Sequence, residues 1–212
     1  MWGHMFMVGS ILTGARGFDF VASGLEHLYI AQPTVFAISA LFLIHAAFAS
    51  RKIPAQLRER RRMRLIAVGL RDAPAALRRG RPVHTESVLW LWQVVTGMVL
   101  LVFGSFHLVL VGVDLLTPLF GERVGIEAVS SSARVRSGLW LVYLVLLLCV
   151  EFHASVGLYR LAVKWGFGAR LGRRALRRIE HAVLFLFLGL GLVTLAVLAG
   201  WLAPPLAFAL EG

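Results

Sequence analysis

The chain is short of several things at once. It has one cysteine, Cys149, in 212 residues. A single thiol excludes a disulfide framework and any cysteine-based metal site within the chain. An iron–sulfur cluster, where one is needed, must therefore come from a partner. Charged residues make up only 16%, too few for a soluble domain of this length. Acidic residues are scarcer still, 11 against 22 Lys and Arg, giving a net charge of +11. The basic runs lack interleaved stacking aromatics, which argues against nucleic acid as a partner. The first apolar stretch has neither the basic n-region nor the small-residue cleavage site of a signal peptide. No internal repeat and no low-complexity tract is visible.

What remains is apolar: 58% hydrophobic residues and a mean hydropathy of +0.78. Four stretches are long enough to cross a bilayer: 33–50, 87–113, 139–164 and 181–203. A fifth, Met1 to Gly14, is apolar but too short. It is expected to be the second half of a helix whose start is missing; a genuine half-helix is the alternative. The expected fold is all-α, a transmembrane helical bundle of five helices with the first truncated. A single domain would then cover 1–212, with a cytoplasmic basic loop over 51–86. One short surface helix is expected within that loop, around Leu57 to Leu70.

Charge sets the orientation. Of the 22 Lys and Arg, 11 fall between Arg51 and Arg81 and 7 between Arg160 and Arg178. Both clusters follow the end of an apolar stretch, the positive-inside signature, and anionic lipid headgroups would reinforce it. With both clusters in the cytoplasm, 14–32 and 114–138 become outer loops, and both are poor in Lys and Arg.

This topology gives four histidines a depth. His45 lies six residues before Arg51 and His153 seven before Arg160, about 9 and 10 Å from the inner edge. His107 lies ten residues before Thr117 and His4 ten before Gly14, each about 15 Å from the outer edge. Depth alone pairs His45 with His153 inside and His4 with His107 outside. Ionisable side chains in hydrocarbon are rare and usually functional. A lone transmembrane histidine is most simply one that hydrogen-bonds a neighbour. Four on four helices, in two matched levels, point to two bis-histidine haem b groups in the bundle core. Gly104 and Gly157 share a helix face with His107 and His153. They would let a flat ring approach, or serve helix packing alone. His27, His84 and His181 are read as interfacial or structural.

Other polar groups stand near these levels. Glu151 precedes His153 by two positions, about 200° round the helix, and so points away from it. It is either a proton relay or a neutral carboxyl bonded to a backbone carbonyl. Glu26 lies in the outer loop, beside an approach to the outer haem; a merely solvated carboxylate is the alternative. Arg160 and Lys164, beyond His153, are placed to neutralise inner propionates, or simply snorkel. Ser130, Ser131, Ser132, Arg134 and Arg136 cluster at the outer surface and could do the same there.

Four segments carry a family resemblance. They are Met1-Trp2-Gly3-His4-Met5-Phe6, His45-Ala46-Ala47-Phe48 running into Arg51-Lys52, Gly104-Ser105-Phe106-His107-Leu108, and Val150-Glu151-Phe152-His153 through to Lys164-Trp165-Gly166. Together they resemble the dihaem cytochrome b subunit of succinate dehydrogenases and menaquinol:fumarate reductases, of the single-chain, five-helix kind. The resemblance covers nearly the whole chain. It implies a distal haem on His4 and His107 and a proximal haem on His45 and His153. It implies Glu151 as a transmembrane proton relay and makes Glu26 the best match for the acceptor of menaquinol protons. It further implies an iron–sulfur subunit on the cytoplasmic face, a flavoprotein subunit carrying the dicarboxylate site, and a home in the bacterial cytoplasmic (inner) membrane as a multi-pass protein. A dimer of complexes stays open. The departure is at the start: in the family the Trp-Gly-His motif lies well inside the first helix, and here it begins the chain. A misplaced start codon or a fragment would explain that.

The expected function is electron transfer between menaquinol and the iron–sulfur subunit. A haem-free membrane anchor of the same complex is the alternative. A proton-coupled transporter would show broken helices or a repeat, and neither is seen.

Overall fold

The computed structural model describes residues 2–69, 85–122 and 124–207. Among these the chain is helical, with no strand. Seven helices follow in order: α1 (Trp2–Gly9), α2 (Ala15–His27), α3 (Ala31–Gly69), α4 (Thr85–Leu116), α5 (Ala128–Arg134), α6 (Trp140–Trp165) and α7 (Gly172–Leu198). Four spans among the described residues are long and apolar enough to cross a membrane: Pro33–Glu59, Val88–Leu116, Ala128–Trp165 and Gly172–Leu198. The fold is the expected all-α transmembrane bundle. α1 has eight residues, about 12 Å of helix, and a tight turn over Ser10–Thr13 follows it.

The boundaries differ from expectation in four places. α3 does not stop at Ser50 but runs unbroken to Gly69. Arg, Gln, Glu and Leu after Ser50 are strong helix formers. Pro54 sits within the helix and removes the hydrogen bond to the Ser50 carbonyl. Ser50 is exposed, at the edge where the basic run begins and water can take that bond. The surface helix expected at 57–70 is thus the end of α3. Residues 70–84, with the rest of the basic connector and His84, lie outside the described residues.

The outer loop expected over 14–32 is largely α2. Phe18 and Ala22, one turn apart, are buried on one face, a helical signal in a segment too polar to span. Gly14 breaks the chain ahead of α2 with φ +98°, a conformation that favours glycine. The outer loop expected over 114–138 contains α5, started by a reciprocal capping box between Glu127 and Ser130. A π turn at Val135–Leu139, with Gly138 at φ +95°, leads into α6. Finally, α7 begins at Gly172, nine residues before His181, because Arg173 to Arg178 continue the helix into the basic layer.

α6 is the central element and packs against both α4 and α7. One cluster, Ile11, Phe18, Ala22, Ala128, Val135, Leu195, Val197 and Leu198, gathers at the outer end. A second, Leu89, Val156 and Tyr159, gathers at the inner end. Many large apolar side chains, such as Phe36, Leu41, Val102 and Phe185, face outward, as a lipid solvent permits. Lipid is as apolar as leucine, so burial alone gives these helices little reason to associate. Polar ties between helices matter correspondingly more. Trp90 on α4 donates to Gln56 Oε1 on α3 at 2.8 Å. Trp2 on α1 donates to Glu151 Oε2 on α6 at 3.2 Å.

Candidate haem centres

The four spanning-level histidines come from four helices and meet in two pairs. The rings of His4 of α1 and His107 of α4 meet edge-on with centres 6.1 Å apart. His45 of α3 and His153 of α6 do so at 6.3 Å. A metal–imidazole bond of about 2 Å, plus about 1 Å from ring nitrogen to ring centre, sets two axial imidazoles about 6 Å apart. Both pairs have that spacing. No group of three or more His, Cys, Asp or Glu able to hold a bare ion comes together among the described residues. Two imidazoles alone hold an ion poorly. A macrocycle that brings its own ring nitrogens suits this donor set.

The inner pair opens on a cavity of about 480 Å³ lined by Trp2, His45, Gln93, His153, Gly157 and Leu161, among others. That falls in the range of cofactor sites, roughly 300–1,000 Å³. His153 Nδ1 donates to the Gln93 backbone carbonyl at 2.9 Å, with Thr96 Oγ1 at 3.4 Å. This fixes the tautomer and leaves Nε2 without a proton, the state in which an imidazole nitrogen can bind a metal. Gly97 lies so close that a Cβ there would stand 3.0 Å from His153 Cε1.

The outer pair is built differently. His107 Nδ1 is buried without a hydrogen-bond partner among the described residues. Its ring meets the edge of Tyr143 at 5.5 Å. The Arg134 guanidinium lies within reach of the Tyr143 hydroxyl. Arg134 also donates to Ser131 Oγ at 3.1 Å and forms an ion pair with Asp114, both side chains buried.

The remaining expected site residues fall as follows. Glu151 is buried, 1% exposed; it does not itself line the His45–His153 cavity but accepts a hydrogen bond from Trp2, which does. Glu26 lies on α2, not in a loop, and is exposed, with Oε1 turned toward the Gly125 turn. Arg160 donates to Gln93 Oε1, so it stands beside the inner site. Lys164 is exposed and lies 5.4 Å over the Trp165 ring. Gly157 lines the inner cavity. Gly104 faces Phe42 of α3 instead of a histidine. His27 is exposed on α2, and His181 lies near Glu180, 3.7 Å away on α7. Ser130, Ser131 and Arg134 are buried, while Arg136 packs against Gly200.

Comparison with known proteins settles the family. The family described as succinate dehydrogenase/fumarate reductase transmembrane subunit matches residues 70–198, more than half of the chain. The fumarate reductase cytochrome b subunit of Helicobacter pylori is 32% identical over 202 residues, covering 92% of this chain and 72% of that protein. The fumarate reductase cytochrome b subunit of Wolinella succinogenes is 34% identical over 177 residues, covering 79% of this chain and 61% of that protein. The chain belongs to this family.

As a membrane subunit of the succinate dehydrogenase/fumarate reductase family, it carries three supporting residues that the sequence reading did not single out. Gln93 is polar within an apolar span, the kind of residue that marks function in a membrane helix. Asp114 lies seven residues after His107, two turns along the same face. Trp2, beside His4, gave no signal of its own; only the fold brings its indole to Glu151.

Proposed function

We propose that this chain is the dihaem cytochrome b subunit of a quinol:fumarate oxidoreductase. In this reading it anchors the complex and passes electrons between menaquinol and an iron–sulfur subunit. The observation that carries the reading is the two histidine pairs, each drawn from two helices with ring centres 6.1 and 6.3 Å apart, a spacing that would suit two imidazoles on one iron. His4 and His107 would hold the outer haem b, and His45 and His153 the inner one. Bound there, such groups supply one-electron transfer and leave no open coordination site for substrate.

The chain's own residues do the rest. The Gln93 carbonyl orients the His153 ring. Arg160, anchored on Gln93, brings positive charge to the inner site, where it would offset the propionate charge of a bound haem. Lys164 adds charge at the same membrane edge. Menaquinol gives up two electrons and two protons on oxidation. Glu26, exposed on α2 at the outer side, accepts a proton there. Glu151, deep between the helices, holds one in transit toward the inner face, so that proton movement offsets inward electron movement. The basic inner ends of α3 and α7 receive the iron–sulfur subunit, and the flavoprotein subunit beyond it holds the dicarboxylate site. The setting is the bacterial cytoplasmic membrane.

A reduced-minus-oxidised visible spectrum with a haem-to-protein ratio, taken on the chain purified with its partner subunits, tests the reading. Two b haems per chain are expected. One haem would remove one of the two histidine sites from the mechanism. A folded, partner-bound chain with none would sink electron transfer and leave a haem-free membrane anchor.

A further inference from the structure

Above the outer histidine pair lie two buried charges: Arg134, expected from sequence only to neutralise propionates, and Asp114, which takes no part in the proposed electron and proton transfer. Asp114 is 1% exposed and Arg134 5%. They form an ion pair between α4 and α5. Their place is specific. Asp114 shares the α4 face of His107, two turns toward the outer end. Arg134 reaches the hydroxyl side of Tyr143, and the Tyr143 ring stands edge-on to His107. Ser131, one turn back on α5, takes a further guanidinium hydrogen bond. A contiguous chain of side chains, Asp114–Arg134–Tyr143–His107, thus runs from a carboxylate to the outer pair.

An ion pair buried in this way is weak as a source of stability, because desolvation offsets the attraction. Its field, by contrast, is strong in a low-dielectric site and little screened by salt. We propose that Asp114 is the counter-charge of Arg134, and that the balance between the two sets the reduction potential of the group held by His4 and His107. Asp114 is a positioning residue: it acts through Arg134 and does not itself ligate. Negative charge near a haem disfavours the added electron and positive charge favours it. Loss of Asp114 therefore raises the outer potential, and loss of Arg134 lowers it.

The inference rests on the proposal that the outer histidines bind a haem, and the experiment separates the two. Potentiometric titration of the b haems is carried out on the assembled complex, wild type against Asp114→Asn, Arg134→Gln and the double variant. The expected result is an upward shift of the outer haem in D114N and a downward shift in R134Q. The double variant returns close to wild type, and the inner haem stays put in all three. Shifts of the same sign in both single variants, or no shift in either, would overturn the proposal. If a single variant loses the outer haem, the double variant decides: haem regained on removing both charges supports charge balance, and haem still absent overturns it. A wild-type complex without a second haem would instead sink the outer site itself.

Discussion

The inner and outer histidine pairs use the same device with opposite support. At the inner pair the support is backbone and close packing. His153 is held by a main-chain carbonyl, and Gly97 lets α4 come within contact distance of its ring. At the outer pair the support is side chains and charge. His107 Nδ1 has no hydrogen-bond partner among the described residues, and a buried ion pair stands behind Tyr143. The elements differ in the same sense. Both inner histidines come from long helices, α3 and α6, whereas the outer site takes His107 and Tyr143 from long α4 and α6 but His4 and Arg134 from short α1 and α5. A backbone clamp survives most substitutions of the residue that provides it. A charge pair does not survive loss of either member.

The largest expected effect separates the two sites altogether. His153→Ala should remove the inner haem and leave the outer one, and His107→Ala the reverse, read as haem per chain and as the surviving potential. Loss of both haems from either variant would mean the pairs do not act as independent sites. Next comes the ion pair. Arg134→Gln alone leaves Asp114 buried and uncompensated, which costs about 3–5 kcal/mol. Thermal unfolding of the purified complex should show it as a clear drop in midpoint. At the inner site, Gly97→Val should press the His153 ring out of place and weaken inner haem binding roughly 10–100-fold. Gln93→Leu, by contrast, should spare inner haem content, because the ring is bound to the main chain and not to the amide. It removes the anchor of Arg160, so the inner potential should move while the outer holds. Loss of the inner haem from Gln93→Leu would show that the clamp is less backbone-borne than the hydrogen bond at His153 implies.

Much of this was legible in the sequence, and for a physical reason. Helix rise is constant, so counting residues from the ends of the apolar stretches gives depth, and depth paired the histidines as the fold brings them together. Hydropathy located the four spans, but it marks apolar length and not helix length. That is why α3 and α7 run on through their basic ends, past the expected boundaries at Ser50 and before His181. α2 and α5 were missed as helices because they are too polar to span. Their signals were smaller ones, Phe18 with Ala22 and the Glu127–Ser130 capping box. The supporting groups were least legible. Asp114 could be placed on the His107 face by counting, but its partner Arg134 is twenty residues further on, across a turn that no periodicity describes. Glu151 was expected to point away from the inner site. The fold adds what it meets there, an indole from a helix at the other end of the sequence.

That indole offers the finest test of the contrast between neutral and charged support. Trp2 stacks on Phe187 with ring centres 4.8 Å apart and donates to Glu151 Oε2. Glu151 Oε1 has no hydrogen-bond partner among the described residues. Trp2→Phe would keep the stack and remove only the donor. Hydrogen bonds between membrane helices contribute about 0.6 kcal/mol on average and up to about 1.7. The expected outcome is a small fall in thermal midpoint, well below that of Arg134→Gln, with both haems retained. A neutral contact can be lost at this low cost because the reference state in lipid finds other partners, whereas an uncompensated buried charge finds none. If Trp2→Phe destabilised the complex as much as Arg134→Gln, that distinction would fail. The inner half of the molecule would then depend on side-chain polarity as heavily as the outer half does.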